Sequence, residues 1–198
     1  MTHAEQLQRL LDRIDRLNAE DPNREVVDTV PRPRELAYAT WLTAWVRRLD
    51  PVASDALRIA ARGQHVRRWT IPRSRYPMNR AGYLRWRETL KAFHADTVEG
   101  LMREEGYPDD AIQRVRTLMG KRQLGSDPET QTLEDALCLV FLETQFADLW
   151  RKTVEETMRE IVRKTWGKMS ERARAEALKL PLSAEDRAVL ERMIASGD

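Results

Sequence analysis

The sequence predicts an all-α fold, a single-domain helical bundle of about eight or nine helices. Apolar residues recur at helical spacing along most of the chain, and we find no segment that alternates polar and apolar residues as a half-buried strand does. Ser, Thr and Pro residues stand where helices would begin, and Gly and Pro residues stand where they would end. A chain of 198 residues suits one domain. We expect its core over about 5–165 and a short helical appendage over 166–198.

Prolines, glycines and polar turns separate the helices predicted in the first half of the chain. Thr2 can cap the first helix and Ser54 the third, because both hydroxyls can accept from free N–H groups of a first turn. Val30–Pro33 should be extended, since the residue before a proline is disfavoured in the α conformation. Gly106 to Pro108 should end the fourth helix. These helices are predicted to cover the residues up to 20, then 33–49, about 55–69 and about 81–105.

The second half is predicted to contain one long apolar helix between shorter ones. Residues 136–142 are apolar almost all round, so the helix that carries them should be the most enclosed. We expect this helix to begin near Glu129, to run through Trp150 and to continue to Trp166, where Gly167 ends it. Shorter helices are predicted to begin at 109 and after the capping residues Ser170 and Ser183, with a polar loop over 121–129.

Composition narrows the class of protein. The single cysteine, Cys138, lies in the apolar run and cannot form an internal disulfide, so we expect core packing and a cytoplasmic location. The longest apolar run is far shorter than the ~20 residues of a membrane-spanning helix, and charged residues interrupt the N-terminus where a signal peptide would be apolar. Residues 62–91 contain nine Arg and Lys residues and one Glu, a local balance of +8. This excess favours binding of an anion, above all a phosphate group.

Ionisable residues occupy core-facing positions on several predicted helices. His65, His94 and Asp135 each neighbour apolar core positions, and Glu35 lies on the inward stripe of the second helix. Burying such groups costs several kcal/mol, by a rough estimate, unless they are paired or hold a metal. Two imidazoles and carboxylates are common ligands of a divalent transition metal such as Mn, Fe, Co or Zn, so these four residues are the predicted metal ligands. Glu134 is a candidate general base or an outer partner of the metal site.

Cationic and polar residues near these positions are candidates for holding a phosphorylated substrate. The segment over 70–80 contains two prolines and should form a rigid basic loop, and such loops commonly carry binding residues. We assign catalytic roles to Arg68 and Lys121 together with Glu134. The predicted substrate-binding residues are Gln64, Arg67, Arg73, Arg75, Tyr76 and Arg87.

Several blocks of this sequence resemble an uncharacterised helical family of bacteria and fungi, a domain of unknown function sometimes labelled glutamyl-tRNA synthetase-like. The blocks are 64–69, 71–73 with 76–77, 82–87, 93–95 and 133–143, and the resemblance runs from about residue 5 to 165. It implies which residues form the site but names no reaction. The synthetase label is not supported, because Gly167–Glu171 mimics only part of one synthetase motif and the chain has no βαβ pattern for a nucleotide-binding sheet.

The order of these groups also resembles a distant HD-domain phosphohydrolase. The resemblance implies Glu35 at the first metal-ligand position, His65 at the histidine of the His-Asp pair, His94 at the intermediate position and Asp135 at the last. The sequence departs from the HD pattern at two positions: the first ligand is not a histidine, and Val66 stands where the paired aspartate should be.

Three functions remain open on the sequence. The first is a metal-dependent phosphohydrolase acting on a nucleotide or another small phosphate ester. The second is a module that binds a nucleotide or RNA without catalysis, through the basic segment and the aromatic residues Tyr76, Tyr83 and Trp86. The third is a helical interaction protein whose polar groups brace the core and whose charged terminal helices could join a homodimer.

Overall fold

The computed structural model describes residues 2–195 and has ten α-helices and one two-stranded sheet in that range. The prediction of an all-α protein is therefore confirmed, with slightly more helices than expected. None of the described helices combines the length and apolarity needed to cross a bilayer. The helices are α1 His3–Ala19, α2 Arg34–Leu49, α3 Asp55–Gly63, α4 Arg80–Glu104, α5 Asp109–Gly120, α6 Pro128–Thr144, α7 Phe146–Trp150, α8 Glu155–Trp166, α9 Glu171–Ala177 and α10 Ala184–Ala195.

Backbone contacts divide the chain into two compact units, Met1–Gln123 and Leu124–Asp198. In the first unit, α3 packs against α1, α2, α4 and α5, and α4 also packs against α5. The predicted caps are present: Thr2 forms a reciprocal capping box with Glu5, and the Ser54 hydroxyl accepts from the N–H of Leu57. Fully buried aliphatic side chains such as Leu42 and Leu57 form the core of this unit.

A short β-hairpin precedes α2, and the sequence did not predict it. Strand β1, Arg24–Val27, pairs antiparallel with β2, Val30–Pro33. Asp28 and Thr29 form the two-residue turn with φ of 47° and 69°, the sign at both positions that a tight hairpin turn requires. The prediction that Val30–Pro33 is extended is confirmed. The pairing itself gave little signal, because strands of four residues carry almost no periodicity and β2 contains two prolines.

Helix α3 ends at Gly63, six residues earlier than predicted. The chain then turns, and Arg67 adopts a left-handed backbone conformation (φ 53°) ahead of a 3-10 turn at Arg68–Thr70. Gly63 lies tightly against α4, where a Cβ atom would collide with Cγ2 of Val98. His65 therefore lies on an irregular segment after the helix, not on the helical face that the spacing suggested.

The second unit is built around α6, which buries nine of its residues, among them Cys138. The expectation that this helix is highly enclosed is confirmed. Its predicted continuation to Trp166 is wrong, because the chain bends at Gln145 and again before Val154 to give α7 and α8 as separate helices. Helix α6 packs against α7 and α9, and α8 packs against α10 and α7. The Ser170 and Ser183 hydroxyls accept from the N–H groups of Ala173 and Asp186, which confirms both predicted caps.

Candidate functional site

The first unit brings together Glu35, His65, Arg68 and His94, which we call the polar cluster. Glu35 lies in the first turn of α2 with only 6% of its surface exposed. Its Oε2 atom is 3.3 Å from Nδ1 of His65, and its Oε1 atom is 3.9 Å from Nε of Arg68. The imidazole of His65 also stacks on Tyr38, with ring centroids 4.1 Å apart and 16° between planes. A carboxyl group thus faces one nitrogen of an oriented imidazole, an arrangement that can accept and stabilise a proton.

His94, on α4, presents an unused lone pair inside this cluster. Its Nδ1 lies 2.8 Å from the carbonyl oxygen of Val66, and since a carbonyl can only accept, Nδ1 must carry the hydrogen. The neutral ring then has an acceptor at Nε2, which is buried and has no hydrogen-bond partner. The rings of His94 and His65 lie 5.9 Å apart. Gln64, the residue before His65, likewise has a buried side-chain oxygen without a donor. Such acceptors are rare in folded proteins, and each is a position where a donor from outside the chain, such as water, could bind.

Burial and nearby cations set the charge of the cluster. Burial raises the pKa of Glu35 to about 7, although the positive charges of Arg68 and Arg34 oppose this. Burial, followed by the charges of Arg68, Lys121 and Arg87, lowers the pKa of His65 well below its usual value. Burial and neighbouring His65 lower the pKa of His94 to about 3. Both histidines are therefore neutral near pH 7.

Three cations act on one neutral imidazole at this site. Arg68 follows His65 in the chain, Arg87 projects from the exposed side of α4, and Lys121 ends α5 in a left-handed conformation. Arg68 also lies over the ring of Trp86, 4.7 Å from its centroid, which fixes the guanidinium. With both histidines neutral, these three cations outnumber the carboxyl group of Glu35, so the local charge is positive and suits an anion.

Two side chains support the cluster, Asn18 in the last turn of α1 and Asp21 just after that helix. Asp21 is buried and accepts from the backbone N–H of Glu35 at 3.0 Å, which positions the start of α2. Asn18 accepts from the backbone N–H of Arg67 at 3.2 Å and holds the left-handed turn between His65 and Arg68. A left-handed non-glycine residue is uncommon and is often found at functional sites. Sequence reasoning overlooked this support and also Tyr38, whose position one turn after Glu35 was the available signal.

The basic loop contributes less to the cluster than the sequence suggested. Arg73 donates to the carbonyl oxygens of Tyr76, Pro77 and Asn79, so its guanidinium holds the loop together. Arg75 is exposed, and Tyr76 is half-buried. Arg67 lies 3.6 Å from Glu20 through its guanidinium and points toward the end of α1. Their assignment as substrate-binding residues stays a prediction.

Glu134 and Asp135 belong to the second unit, where they make local contacts. Both oxygens of Asp135 accept hydrogen bonds: Oδ1 from the N–H of Ser170 (2.8 Å) and from Gln131 (2.9 Å), and Oδ2 from the Ser170 hydroxyl (2.5 Å). Asp135 thereby anchors the residue that caps α9. Glu134 lies 3.2 Å from Nζ of Lys168. These contacts give Asp135 an architectural role and occupy one oxygen of Glu134, whose assignment as a catalytic residue stays a prediction.

Between residues 2 and 195, no three His, Cys, Asp or Glu side chains lie in an arrangement that could hold a metal ion. In the polar cluster, Nδ1 of His94 is used by a carbonyl group and Nδ1 of His65 faces Glu35, which leaves the two Nε2 atoms as nitrogen donors. Within the first unit, Glu35, His65 and His94 lie close together without forming such a group, and Asp135 belongs to the second unit. The predicted metal site stays a prediction, and we derive no chemical step through a metal.

An open cleft of about 440 Å³ lies elsewhere in the first unit, lined by Arg9, Arg13, Arg16, Glu104 and Glu105. Arg9 and Arg13 pair with these two glutamates, so most of the charge in the cleft is already neutralised. The cleft carries no feature that links it to the polar cluster.

The fold and the site define an all-α protein with a cationic, histidine-containing cluster beside a buried carboxyl. The chain belongs to the family described as Domain of unknown function (DUF4202), whose model matches residues 8–190. The resemblance to an uncharacterised helical family is thus confirmed, and the match continues beyond residue 165 into the region that we expected to be an appendage. No curated protein and no solved structure matches the chain. The resemblance to HD-domain phosphohydrolases stays a prediction.

Proposed function

We propose that the protein hydrolyses a small phosphate ester in the cytoplasm, with the polar cluster as its reaction centre. The observation that carries the proposal is the buried Nε2 of His94, an acceptor without a protein donor beside a second neutral histidine. A buried acceptor without a hydrogen bond lowers the stability of the folded state by about 1–3 kcal/mol. That cost is offset when a bound molecule, here the attacking water, donates an O–H group to it.

The surrounding cations supply the binding of phosphate. Arg68 and Arg87 carry planar guanidinium groups that match phosphate oxygens, and Lys121 adds a third positive charge that acts on His65. A bound phosphate dianion would offset these charges. The pKa of His65 would then rise, because the like-charge repulsion that lowers it is reduced. Substrate binding would thus strengthen the base that the reaction needs.

The proposed reaction is the attack of water on the phosphorus atom of the ester. The water oxygen forms the new bond to phosphorus while the bond from phosphorus to the ester oxygen breaks. His94 orients the water through Nε2, and the proton that the water loses passes to Nε2 of His65. Glu35, ionised and facing Nδ1 of His65, stabilises the imidazolium. The leaving oxygen takes the proton back, which yields an alcohol and inorganic phosphate.

The divalent transition metal expected from the sequence (Mn, Fe, Co or Zn) also stays a proposal. Imidazole nitrogens such as Nε2 of His94 are donors that these ions accept. Because no group of three ligands is assembled in the described part of the chain, we assign the proton transfers to the protein's own residues and treat the metal requirement as a question for experiment.

Phosphate release from p-nitrophenyl phosphate and from a panel of phosphate monoesters tests the proposal. The wild-type protein is assayed with chelator and with each of the four metals, beside His65→Asn, Glu35→Gln and the exposed control Glu156→Gln. Loss of a general base should lower kcat/KM by about 10²- to 10⁴-fold in His65→Asn, while the control keeps wild-type activity.

Calorimetry with inorganic phosphate separates the remaining outcomes. Phosphate binding without hydrolysis of any ester would favour a binding module over an enzyme. The proposal would be overturned if the protein neither bound phosphate nor hydrolysed any ester and His65→Asn changed only the free energy of unfolding. The polar cluster would then only stabilise the core.

A further inference from the structure

One exposed stripe on α4 combines arginines with apolar and aromatic side chains. Arg80, Tyr83, Leu84 and Arg87 follow the spacing i, i+3, i+4, i+7, so they share one face of the helix. All four are exposed, with 43% of Tyr83 and 50% of Leu84 accessible, and Met78 just before the helix is 81% accessible. We call these five residues the α4 face. Exposed apolar groups between charges mark an interaction surface.

The backbone beneath the α4 face is tightly held. Arg73 donates to three carbonyl groups of the preceding loop, and the Asn79 side chain caps α4 by accepting from the N–H of Gly82. Gly82 lies so close to the loop that a Cβ atom would collide with the carbonyl oxygen of Pro77. The loop and the first turn of the helix are therefore fixed to each other. A surface ordered before binding loses little conformational entropy when a partner arrives.

The positive charge of this face indicates an anionic partner, and the exposed ring of Tyr83 indicates that the partner also carries a flat or apolar group. Of the nine basic residues over 62–91, Arg62, Arg67 and Lys91 are paired with acids, whereas Arg80, Arg85 and Arg87 on α4 are exposed. Arg87 lies 5.8 Å from the centroid of Tyr83, so a cation flanks the ring. A partner with only charge would leave Tyr83 and Leu84 without a role.

Among the aromatic residues predicted to stack on a ligand, Tyr83 is the most exposed, and its ring lies 6.0 Å from that of Trp86 at an angle of 46°. Trp86 is half-buried, lies under Arg68, and donates its indole N–H to the carbonyl oxygen of Ile71. Tyr76 is also half-buried. One exposed ring with Arg87 beside it provides a stacking position for one unpaired base, and Arg80 on the same helix face adds a second cation for the phosphates.

We propose that the α4 face binds single-stranded nucleic acid, with one base stacked on Tyr83 and the backbone phosphates on Arg80 and Arg87. A duplex presents its bases already stacked and paired, so the ring of Tyr83 has no base face to contact there. This inference concerns a macromolecular partner and shares Arg87 with the proposed phosphate site of the polar cluster. Its test uses Tyr83 and Arg80, which have no role in the proposed hydrolysis.

Fluorescence anisotropy with a short labelled single-stranded RNA tests this surface, with the duplex of the same sequence as comparison. Tyr83→Ala should weaken binding on the order of 5- to 100-fold, the effect of losing one stacked base, whereas Tyr83→Phe keeps the ring and the affinity. Arg80→Gln should reduce the slope of log affinity against log salt by about 0.7, the value for one lost phosphate contact on a single strand. The matched control is Arg32→Gln, which removes the same charge from the exposed hairpin.

Each alternative gives a different result. Equal affinity of the wild type and Tyr83→Ala for the single strand would overturn the proposal, as would no binding at all. Binding to vesicles of phosphatidylserine and phosphatidylcholine, without binding to RNA, would identify the α4 face as a membrane-docking surface. If the control Arg32→Gln lowered the affinity for the single strand as much as Arg80→Gln does, only the total charge would matter, which also contradicts the proposal.

Discussion

Replacing Glu35 with glutamine should stabilise the protein at alkaline pH while it disables the polar cluster. Burial raises the pKa of this carboxyl from 4.5 to about 7. The folded state therefore binds the proton more tightly than the unfolded state does. Stability is highest below pH 4.5, falls as pH rises toward 7, and is constant above that as far as this group is concerned. With 1.36 kcal/mol for each pKa unit, the loss across this window is about 3 kcal/mol.

Glutamine cannot ionise, so the loss should be absent in Glu35→Gln. Urea unfolding at several pH values between 4.5 and 8 measures it. The difference in unfolding free energy between variant and wild type should move in favour of the variant by about 3 kcal/mol from the lower to the upper pH. Because glutamine still offers an oxygen to His65, loss of the contact at Oε2 should offset only part of this gain.

The matched control is Glu156→Gln on α8, where the carboxyl group is exposed to solvent. Its stability should follow the wild-type pH dependence throughout. A Glu35→Gln curve parallel to that of the wild type would refute the reasoning, because it would mean that Glu35 is ionised in the folded protein at pH 5. The same variant should also remove the rise in hydrolytic activity that we expect as pH increases through about 7.

Three further predictions test the packing and the two groups of buried polar residues. Gly63→Ala in α3 should cost about 1–3 kcal/mol of stability, because the added Cβ atom would collide with Val98 of α4. Gly100→Ala in α4 adds a Cβ atom that meets no other atom within 4 Å, so it should stabilise the protein by about 0.5–1 kcal/mol. Thermal unfolding of the two variants distinguishes these effects. Asp135→Ala should lower the free energy of unfolding in urea by about 2–4 kcal/mol, because donors of Ser170 and Gln131 lose their acceptor. Phosphate binding should not change. A folded variant that has lost phosphate binding would instead support Asp135 as the predicted metal ligand. Sulfate, a dianion that does not itself titrate near pH 7, should bind with net proton uptake, because its negative charge raises the pKa of Glu35 above about 7. Calorimetry in buffers of different ionisation enthalpy measures the uptake, and binding without it would contradict the link to the polar cluster.

Local signals predicted the fold wherever a short stretch of sequence determines the structure. The caps at Thr2, Ser54 and Ser170 were identified because one hydroxyl ahead of an apolar stripe is sufficient to begin a helix. The bends at Gln145 and before Val154 were missed, because the chain carries neither glycine nor proline there. Tertiary packing ends those helices, and spacing along the sequence does not record it.

In the sequence, the residues of the polar cluster could not be told apart from the buried acids of the second unit, Glu134 and Asp135, and the reason is physical. His94 and Asp135 are both ionisable, both lie among apolar positions, and both are almost fully buried. Helical spacing identifies such residues, since it reports which face of a helix is turned inward. It does not report which hydrogen-bond partners a buried side chain finds, because those partners come from segments far away in the chain.

Hydrogen-bond satisfaction separates the two residues. Each oxygen of Asp135 accepts from a donor within its own unit, so that carboxylate is complete without a ligand. His94 uses Nδ1 for the carbonyl group of Val66, which fixes the ring and leaves Nε2 as a buried acceptor that the protein does not serve. A buried group with all its bonds made stabilises the fold, whereas one that is oriented and left incomplete costs stability unless something outside the chain completes it. For this reason we assign the chemistry to the cluster around His94 and the architecture to Asp135.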